Sequence, residues 1–243
     1  EGAITDYDEA IRLDPKNAIA YQNRGNAKYD LGDNQGAIAD YNEAIRLDSN
    51  FANTYASRGI AKYKLGDKEG AIADHDEALR LDPNNAYAYQ HRGNAKRDLG
   101  DNQGAITDYD EALRLDPNNA KSIKASAYTN RGWLKEGLGD KQGAIADYTE
   151  AICLGINDAT TYYNRGRAKY SLGDGQGAIA DYTAAIGLDP NNANAYYARG
   201  LSKQSLGDKV GAWADFQEAA GLYKQQGNTT WERHALNQYH HLL

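Results

Sequence analysis

Apolar and polar residues along the chain form two consecutive patterns, each typical of an amphipathic helix. Both are seen in the segment Ala86–Asn119. In the first half, one face recurs at a spacing near 3.6 residues, at Tyr89, Gly93, Lys96 and Leu99. In the second half, an apolar stripe runs through Ala105, Ile106, Tyr109, Ala112, Leu113 and Leu115. The pattern therefore predicts two helices in this segment.

A short turn is predicted between the two helices. Gly100 can end the first helix in a left-handed conformation, and the Asp101 side chain can cap the second. Pro117 is expected to stop the second helix, and Asn118 and Asn119 to turn the chain. Two antiparallel helices joined so closely cannot bury their apolar faces alone, so we expect such pairs to stack.

The same pair of helices recurs along the chain. The glycine of the "LGD" turn falls at positions 32, 66, 100, 139, 173 and 207, a period of 34 with one spacing of 39. A fixed period of this length is typical of a stacked helical array. The extra five residues fall near 120–125, where neither Gly nor Pro occurs. We expect them to start the first helix of the fourth repeat more than one turn early, with Lys121 and Lys124 exposed.

The repeated segment resembles the tetratricopeptide repeat family, whose pattern is W-x2-L-G-x2-Y, then A-x3-F, then P. The corresponding residues are Tyr89, Arg92, Gly93 and Lys96, then Ala105 and Tyr109, then Pro117. The chain differs from the pattern at two slots, which hold Arg and Lys in all six repeats. The resemblance implies an all-α solenoid, a right-handed superhelix of antiparallel helix pairs. It also implies a concave groove, lined by the first helices, that binds peptides or proteins.

About fourteen helices are expected in three regions. Residues 1–17 match the second helix of an incomplete repeat, residues 18–227 hold six repeats, and residues 228–243 form a C-terminal capping helix. We expect the chain to be part of a longer protein. The first region carries an apolar strip without its usual partner helix, so a homodimer through this N-terminal edge is a further expectation.

Two rows of charged residues recur with the repeat. The arginine at the variant slot has a lysine four residues later and faces an aspartate row on the second helices. We interpret these rows as a structural ion-pair ladder, since an unpartnered buried Arg would be costly. The alternative is a row of anion sites, for phosphate or an acidic polymer. The ladder comprises Arg24, Arg58, Arg92, Arg131, Arg165 and Arg199 with Asp40, Asp74, Asp108, Asp147, Asp181 and Asp215.

Other slots of the first helix differ between repeats. A residue that packs identically in every repeat should stay the same, whereas one that contacts a non-repeating ligand can vary. The variable slots are rich in Tyr and Trp, residues that dominate interface hot spots. The alternative is that some of these rings pack between repeats. The candidate groove residues are Tyr29, Ile60, Tyr63, Tyr87, Asn94, Arg97, Trp133, Tyr163, Arg167, Tyr170, Tyr197 and Leu201.

Composition argues against several functional classes. A net charge of −7 disfavours binding to nucleic acid or anionic membranes, and no apolar run is long enough to span a bilayer. The five histidines and the single cysteine, Cys153, lack metal-ligand or nucleophile–base spacing. We therefore expect no catalytic residue, metal or cofactor. The working expectation for location is the cytoplasm.

The sequence favours a non-enzymatic scaffold that binds a peptide or protein in its groove. The partner itself is left open. A self-assembly module of a larger protein is the alternative, and anion binding along the ladder ranks third.

Overall fold

The computed structural model describes residues 2–115 and 121–241, and within them it contains fourteen α-helices and no strand. This confirms the expected all-α class. The predicted stop at Pro117 lies outside the described residues. The helices are α1 Gly2–Leu13, α2 Ala18–Asp30, α3 Asn34–Leu47, α4 Ala52–Lys64, α5 Lys68–Leu81, α6 Ala86–Asp98, α7 Asn102–Leu115, α8 Lys121–Gly137, α9 Lys141–Cys153, α10 Ala159–Ser171, α11 Gly175–Leu188, α12 Ala193–Ser205, α13 Lys209–Gln225 and α14 Thr229–His241.

The chain forms two compact units, residues 1–123 and residues 124–243. In the first unit the pairs α2–α3, α4–α5 and α6–α7 make the closest contacts, and each pair packs on the next. In the second unit α10–α11 and α12–α13 do the same, with α14 packed on α13. Helices contact their neighbours along the chain, which is the packing of a helical repeat solenoid.

The tight turn between paired helices depends on its two glycines and one aspartate. Gly100 has a φ of +87°, a conformation that L side chains rarely adopt. Asp101 then accepts a hydrogen bond from the Gly104 amide at 2.9 Å, which confirms the predicted cap. A Cβ on Gly104 would lie 2.1 Å from a carboxylate oxygen of Asp101, so the second glycine leaves room for the capping group.

Close packing within each pair depends on the glycine that occupies the same slot of the first helix in every repeat. A Cβ on Gly93 would lie 2.8 Å from the ring of Tyr109, so only Gly lets α6 and α7 approach this closely. Tyr109 is buried together with Ala105 and Ala112 of the same helix. The core is thus built from aromatic rings that pack against small residues.

The predicted ion-pair ladder is present in all six repeats. In the third, Arg92 Nε donates to one oxygen of Asp108 at 2.9 Å and Nη2 donates to the other at 2.6 Å. The guanidinium carbon also lies 5.3 Å from the centre of the Tyr89 ring. The same bidentate contact joins Arg24 to Asp40, Arg58 to Asp74, Arg131 to Asp147, Arg165 to Asp181 and Arg199 to Asp215.

The lysine of each repeat joins the same aspartate. Lys96 Nζ lies 2.8 Å from the Asp108 oxygen that already accepts from Arg92 Nε. These lysines are more exposed than the arginines, with 20–24% of the side chain accessible against 14–18%. The buried Asp binds both cations, which explains how two like charges tolerate adjacent turns. This geometry supports a structural ladder over a row of anion sites.

Each arginine also contacts the preceding repeat where that contact is described. Arg92 Nη1 donates to the Asp76 carboxylate of α5 at 2.6 Å, 16 residues before it in the chain. The guanidinium therefore bonds to two different second helices at once. The acceptors in this slot are Asp8, Asn42, Asp76, Thr149 and Thr183.

The irregular spacing is accommodated by a longer helix. α8 has 17 residues, whereas every other first helix of a pair has 13. It begins at Lys121, four residues before Ala125, which occupies the slot where the other first helices start. The expectation of an early start is confirmed. Lys121 is exposed as expected, but the expectation for Lys124 was wrong, because this residue is half-buried.

Removing one ladder carboxylate should destabilise the chain far more than removing an exposed one. Asp108→Asn leaves Arg92 and Lys96 without their shared anion in a site where Asp108 is only 2% exposed. We expect a loss of about 3 kcal/mol in the free energy of unfolding. The measurement is urea unfolding followed by circular dichroism.

Glu111→Gln is the matched control on the same helix. Glu111 pairs with Arg114 at the surface, so its loss should cost less than about 0.5 kcal/mol. Equal destabilisation by both variants would contradict the structural role of the ladder.

Candidate binding groove

Variable first-helix residues meet around a cavity in the first unit. Tyr29 on α2, Ile60 on α4 and Tyr87 on α6 come together here, although they are about 30 residues apart in sequence. The cavity has a volume of about 330 Å³. Ile60 is itself buried and forms part of the wall. The complete lining is Asn26, Tyr29, Asp30, Tyr41, Ser57, Ile60 and Tyr87.

Three other candidates of the first unit bond to protein groups. The Tyr63 hydroxyl donates to the Asp98 carboxylate, and Arg97 Nε donates to the same carboxylate at 2.9 Å. The Asn94 side-chain oxygen accepts from the buried Tyr109 hydroxyl at 2.8 Å. Burial and the Asp98 contact raise the pKa of Tyr63. Sequence analysis named these three as groove residues but did not anticipate their bonds to Asp98 and Tyr109.

An ion pair lies at the corresponding slots of the second unit. Arg167 on α10 binds Glu136 on α8 through two hydrogen bonds of 2.8 and 3.0 Å. Glu136 also accepts from the Tyr148 hydroxyl at 3.2 Å. The contact with Glu136 raises the pKa of Arg167. Nearby slots hold the exposed rings Trp133 and Tyr170.

The remaining candidates of the second unit are half-buried. Tyr163 packs its ring 5.7 Å from that of Tyr182, and Tyr197 packs between Phe216 and Trp231 at 5.6 and 5.5 Å. Leu201 is also half-buried. Burial raises the pKa of both Tyr163 and Tyr197. These rings therefore contribute to packing between helices as well as to the surface, as the alternative interpretation allowed.

In two repeats the residue in the slot of Asn94 forms a hydrogen bond with the Tyr in the buried aromatic slot of the second helix. Tyr41 donates to Asn26 at 2.8 Å, in the same way that Tyr109 donates to Asn94. In the sixth repeat the two slots hold Phe216 and Leu201, so no hydroxyl needs an acceptor. The relation is not general, because Tyr148 and Tyr182 share the two slots with Trp133 and Arg167, and Tyr148 donates to Glu136 instead. Sequence analysis missed these side-chain bonds.

Family comparisons agree with the repeat geometry. The first family model, described as TPR repeat, alone covers more than half of the chain. The chain belongs to the tetratricopeptide repeat family. This first model matches residues 1–32, 25–66, 93–134 and 166–207, and a second, described as tetratricopeptide repeat, matches residues 52–85 and 125–153. A comparison with curated proteins finds no match.

Several solved structures are similar in fold to this chain. PilF of Pseudomonas aeruginosa has a TM-score of 0.77 at 15% identity, covering 96% of this chain and 99% of that one. YrrB, described as a TPR protein with an unusual peptide-binding site, has a TM-score of 0.71 at 22% identity, covering 81% and 97%. MamA has a TM-score of 0.63 at 29% identity, covering 70% and 96%. The first two similarities show the fold alone.

One tetratricopeptide repeat of this chain departs from the aromatic pattern. His75 replaces Tyr in the buried slot, opposite Ile60, and neither ring nitrogen has a hydrogen-bond partner among the described residues. Burial lowers the pKa of His75 to about 3, and the neighbouring His91 ring, 6.0 Å away, contributes. Burial and Lys64 lower the pKa of His91 to about 4. Both imidazoles are therefore neutral at pH 7.

Other site classes can be checked across residues 2–115 and 121–241. No group of three or more His, Cys, Asp or Glu side chains there is placed to hold a metal ion. None of the helices described in the structure combines the length and apolarity needed to cross a membrane. Cys153 is exposed and forms no disulfide.

The buried histidine should make stability pH-dependent. The unfolded chain binds protons at His75 with an ordinary pKa near 6.5, whereas the folded chain resists them. The contribution of neutral His75 to the free energy of unfolding is thus fully present above about pH 6.5. It is lost as the pH falls toward the pKa of His75 in the folded protein. We expect His75→Phe, which copies the Phe216–Leu201 pairing, to remove on the order of 2 kcal/mol of the loss between about pH 7 and pH 4.5.

Urea unfolding of both proteins at the two pH values checks this. His234→Gln, which changes an exposed histidine, is the control and should behave like the parent chain. An unchanged pH dependence in His75→Phe would mean that His75 is protonated or solvated in the folded protein.

Proposed function

We propose that this protein is a non-enzymatic scaffold that holds an extended peptide or a partner helix on the variable slots of its first helices. One observation carries the proposal. Tyr87, Trp133 and Tyr170 are 42%, 51% and 37% exposed, whereas the aromatic rings of the constant slots are buried or half-buried. Large exposed rings are costly in water and typical of contact surfaces.

The charges of these slots support a selective rather than a broadly electrostatic surface. Arg97 is bonded to Asp98, and Arg167 is bonded to Glu136. Charges that are paired within the protein contribute little long-range attraction, while their polar edges can still fix the register of a ligand. A surface of rings on which Arg97 and Arg167 are already paired is suited to an extended segment with apolar anchors.

The fold is compatible with this use. YrrB shares it and is described as having a peptide-binding site. The helices of the present chain supply the same kind of scaffold, in which rigid elements present side chains that vary from repeat to repeat. The chemistry that selects the partner nevertheless resides in this chain's own variable slots.

The decisive experiment selects peptides from a random displayed library against the intact chain and measures their affinity for variants. Trp133→Ala should weaken binding of the selected peptides about 30-fold, because buried aromatic anchors contribute about 2 kcal/mol at interfaces. The urea midpoint should stay within error, since Trp133 is half exposed and its removal leaves the core intact.

Val210→Ala is the control, because Val210 is an exposed apolar residue on a second helix. Its affinity for the selected peptides should match that of the parent chain. Binding that is insensitive to both Trp133→Ala and Tyr87→Ala would contradict the use of the first helices.

A second candidate function is self-assembly through α1. No residue of this helix is buried, Ile4, Tyr7 and Ile11 are half-buried, and Leu13 is exposed. α1 packs on α2 along one side only. The uncovered apolar strip supports pairing with a second copy of the chain.

Light scattering over a wide concentration range should then give a mass that rises above that of one chain. Ile4→Asp places a charge in the strip and should restore the monomer mass, whereas Val210→Asp, at an exposed site on α13, should not. A constant monomer mass for the unchanged chain at high concentration would remove this candidate.

A further inference from the structure

The cavity between α2, α4 and α6 has the size of a single side-chain pocket. Its volume of about 330 Å³ is at the lower end of ligand cavities, which run from about 300 to 1,000 Å³. Tyr29, Tyr41 and Tyr87 supply aromatic walls, and Ile60 adds apolar surface. A segment lying across the first helices could therefore insert one side chain here.

Asp30 gives this pocket an uncompensated negative charge. It lines the cavity, is exposed, and has no hydrogen bond or ion pair within the described part of the chain. Lys64 holds the same slot on α4 but makes no ion pair with it there. Burial raises the pKa of Tyr29 and of Tyr41, and the Asp30 charge raises both further. The Asp30 carboxylate is therefore close enough to these two hydroxyl groups for its charge to raise their pKa values.

Two repeats later, the slot of Asp30 holds a carboxylate that is already paired within the protein. Asp98 accepts from Tyr63 and from Arg97, so its charge is neutralised within the protein. In the second unit the slot holds Gly137, Ser171 and Ser205, which carry no charge. Among these residues only Asp30 combines a carboxylate, aromatic walls and an open cavity.

The chain already shows what such a combination binds. In the ladder, the Arg24 guanidinium lies 5.4 Å from the Tyr21 ring centre and bonds to the Asp40 carboxylate. The aromatic face attracts a cation through its quadrupole, and the carboxylate supplies charge-assisted hydrogen bonds. The pocket is lined by the same two kinds of group, aromatic rings and a carboxylate, and it is open to solvent.

A neighbouring amide points to a peptide as the source of the cation. Asn26 uses its side-chain oxygen to accept from Tyr41, and its NH2 group has no acceptor among the described residues. A donor at the edge of a side-chain pocket is suited to a backbone carbonyl of an extended segment. A free small cation would leave this donor unused.

We propose that this pocket binds an arginine or lysine side chain of the peptide partner, held by Asp30 and by the faces of Tyr29 and Tyr87. This inference rests on the proposed function and assigns one position of the partner. The basic group stacks on the rings and pairs with Asp30, while the adjacent peptide carbonyl accepts from Asn26.

The test uses the intact chain and three probes. The first is Ac-Ala-Ala-Arg-Ala-Ala-NH2, the second carries uncharged citrulline in place of arginine, and the third is agmatine alone. Amide NMR titrations should give saturable shifts on α2, α4 and α6 with the arginine peptide. The citrulline peptide and agmatine should each bind at least about tenfold more weakly, because the first lacks the charge and the second lacks the backbone.

Asp30→Asn should abolish the preference for arginine over citrulline without changing the fold, since Asp30 is exposed. Asp98→Asn changes the same slot in a repeat where the carboxylate is already paired, and it should keep the preference. Equal binding of the two peptides, no binding of the arginine peptide, or an unchanged preference in Asp30→Asn would overturn the pocket assignment. Agmatine binding as tightly as the arginine peptide would overturn the assignment to a peptide.

These outcomes are distinguishable from failure of the proposed function. Library-selected peptides that depend on Trp133 but not on Asp30 would leave the scaffold function in place and reject only the pocket. Binding of the arginine peptide that depends on Asp30, together with selected peptides insensitive to both Trp133→Ala and Tyr87→Ala, would retain the pocket and reject the use of the first helices by longer segments.

Discussion

A buried aspartate on the second helix of every repeat is the constraint on which the rest of the structure depends. Its carboxylate is almost inaccessible, so it is stable only while cations and hydrogen-bond donors surround it. The arginine and lysine of the first helix meet that need, with Asp108, Arg92 and Lys96 as the example. The two helices are thereby fixed in register by directional bonds as well as by apolar packing.

Fixing the register in this way leaves other positions free to change. The aspartate, arginine, lysine and close-packing glycine recur in all six repeats, while the slots of Asn94 and Arg97 hold apolar, aromatic and charged residues in different repeats. In the first and third repeats this variation is limited by the buried aromatic slot, because the Tyr41 and Tyr109 hydroxyls take Asn26 and Asn94 as acceptors. The buried core therefore limits which residues these two repeats can carry on the recognition surface.

Sequence periodicity could predict most of the fold, because each helix is encoded by local signals. The 3.6-residue spacing, the Gly100–Asp101 turn and the period of 34 define the helix pairs, and a helix-compatible insert defines the early start of α8. The Arg–Asp contacts were also predictable, since a charge row in a packed position needs a partner. The contact of Lys96 with Asp108 was less predictable, because the long lysine stem could equally have placed its ammonium group in water.

The candidate site was harder to predict because side-chain bonds across helices are not encoded by a period. Tyr63 occupies a variable slot of α4 in the sequence pattern, but its bond to Asp98 on α6 depends on the distance between neighbouring first helices. Tyr197 and Trp231 lie far apart in the repeat pattern and meet only through packing. Which ring is an anchor and which is core is therefore a property of three-dimensional contacts.

The third bond of each arginine has a consequence for how the array opens. Arg24 and Arg92 reach exposed carboxylates of the preceding repeat, Asp8 and Asp76, whereas Arg58 reaches the uncharged Asn42. Dissolved salt screens exposed charge pairs and leaves neutral hydrogen bonds almost unchanged. Rising ionic strength therefore loosens the α1–α2 and α5–α6 interfaces relative to α3–α4. The place where the first unit separates most easily is accordingly set by the surrounding electrolyte as well as by the sequence.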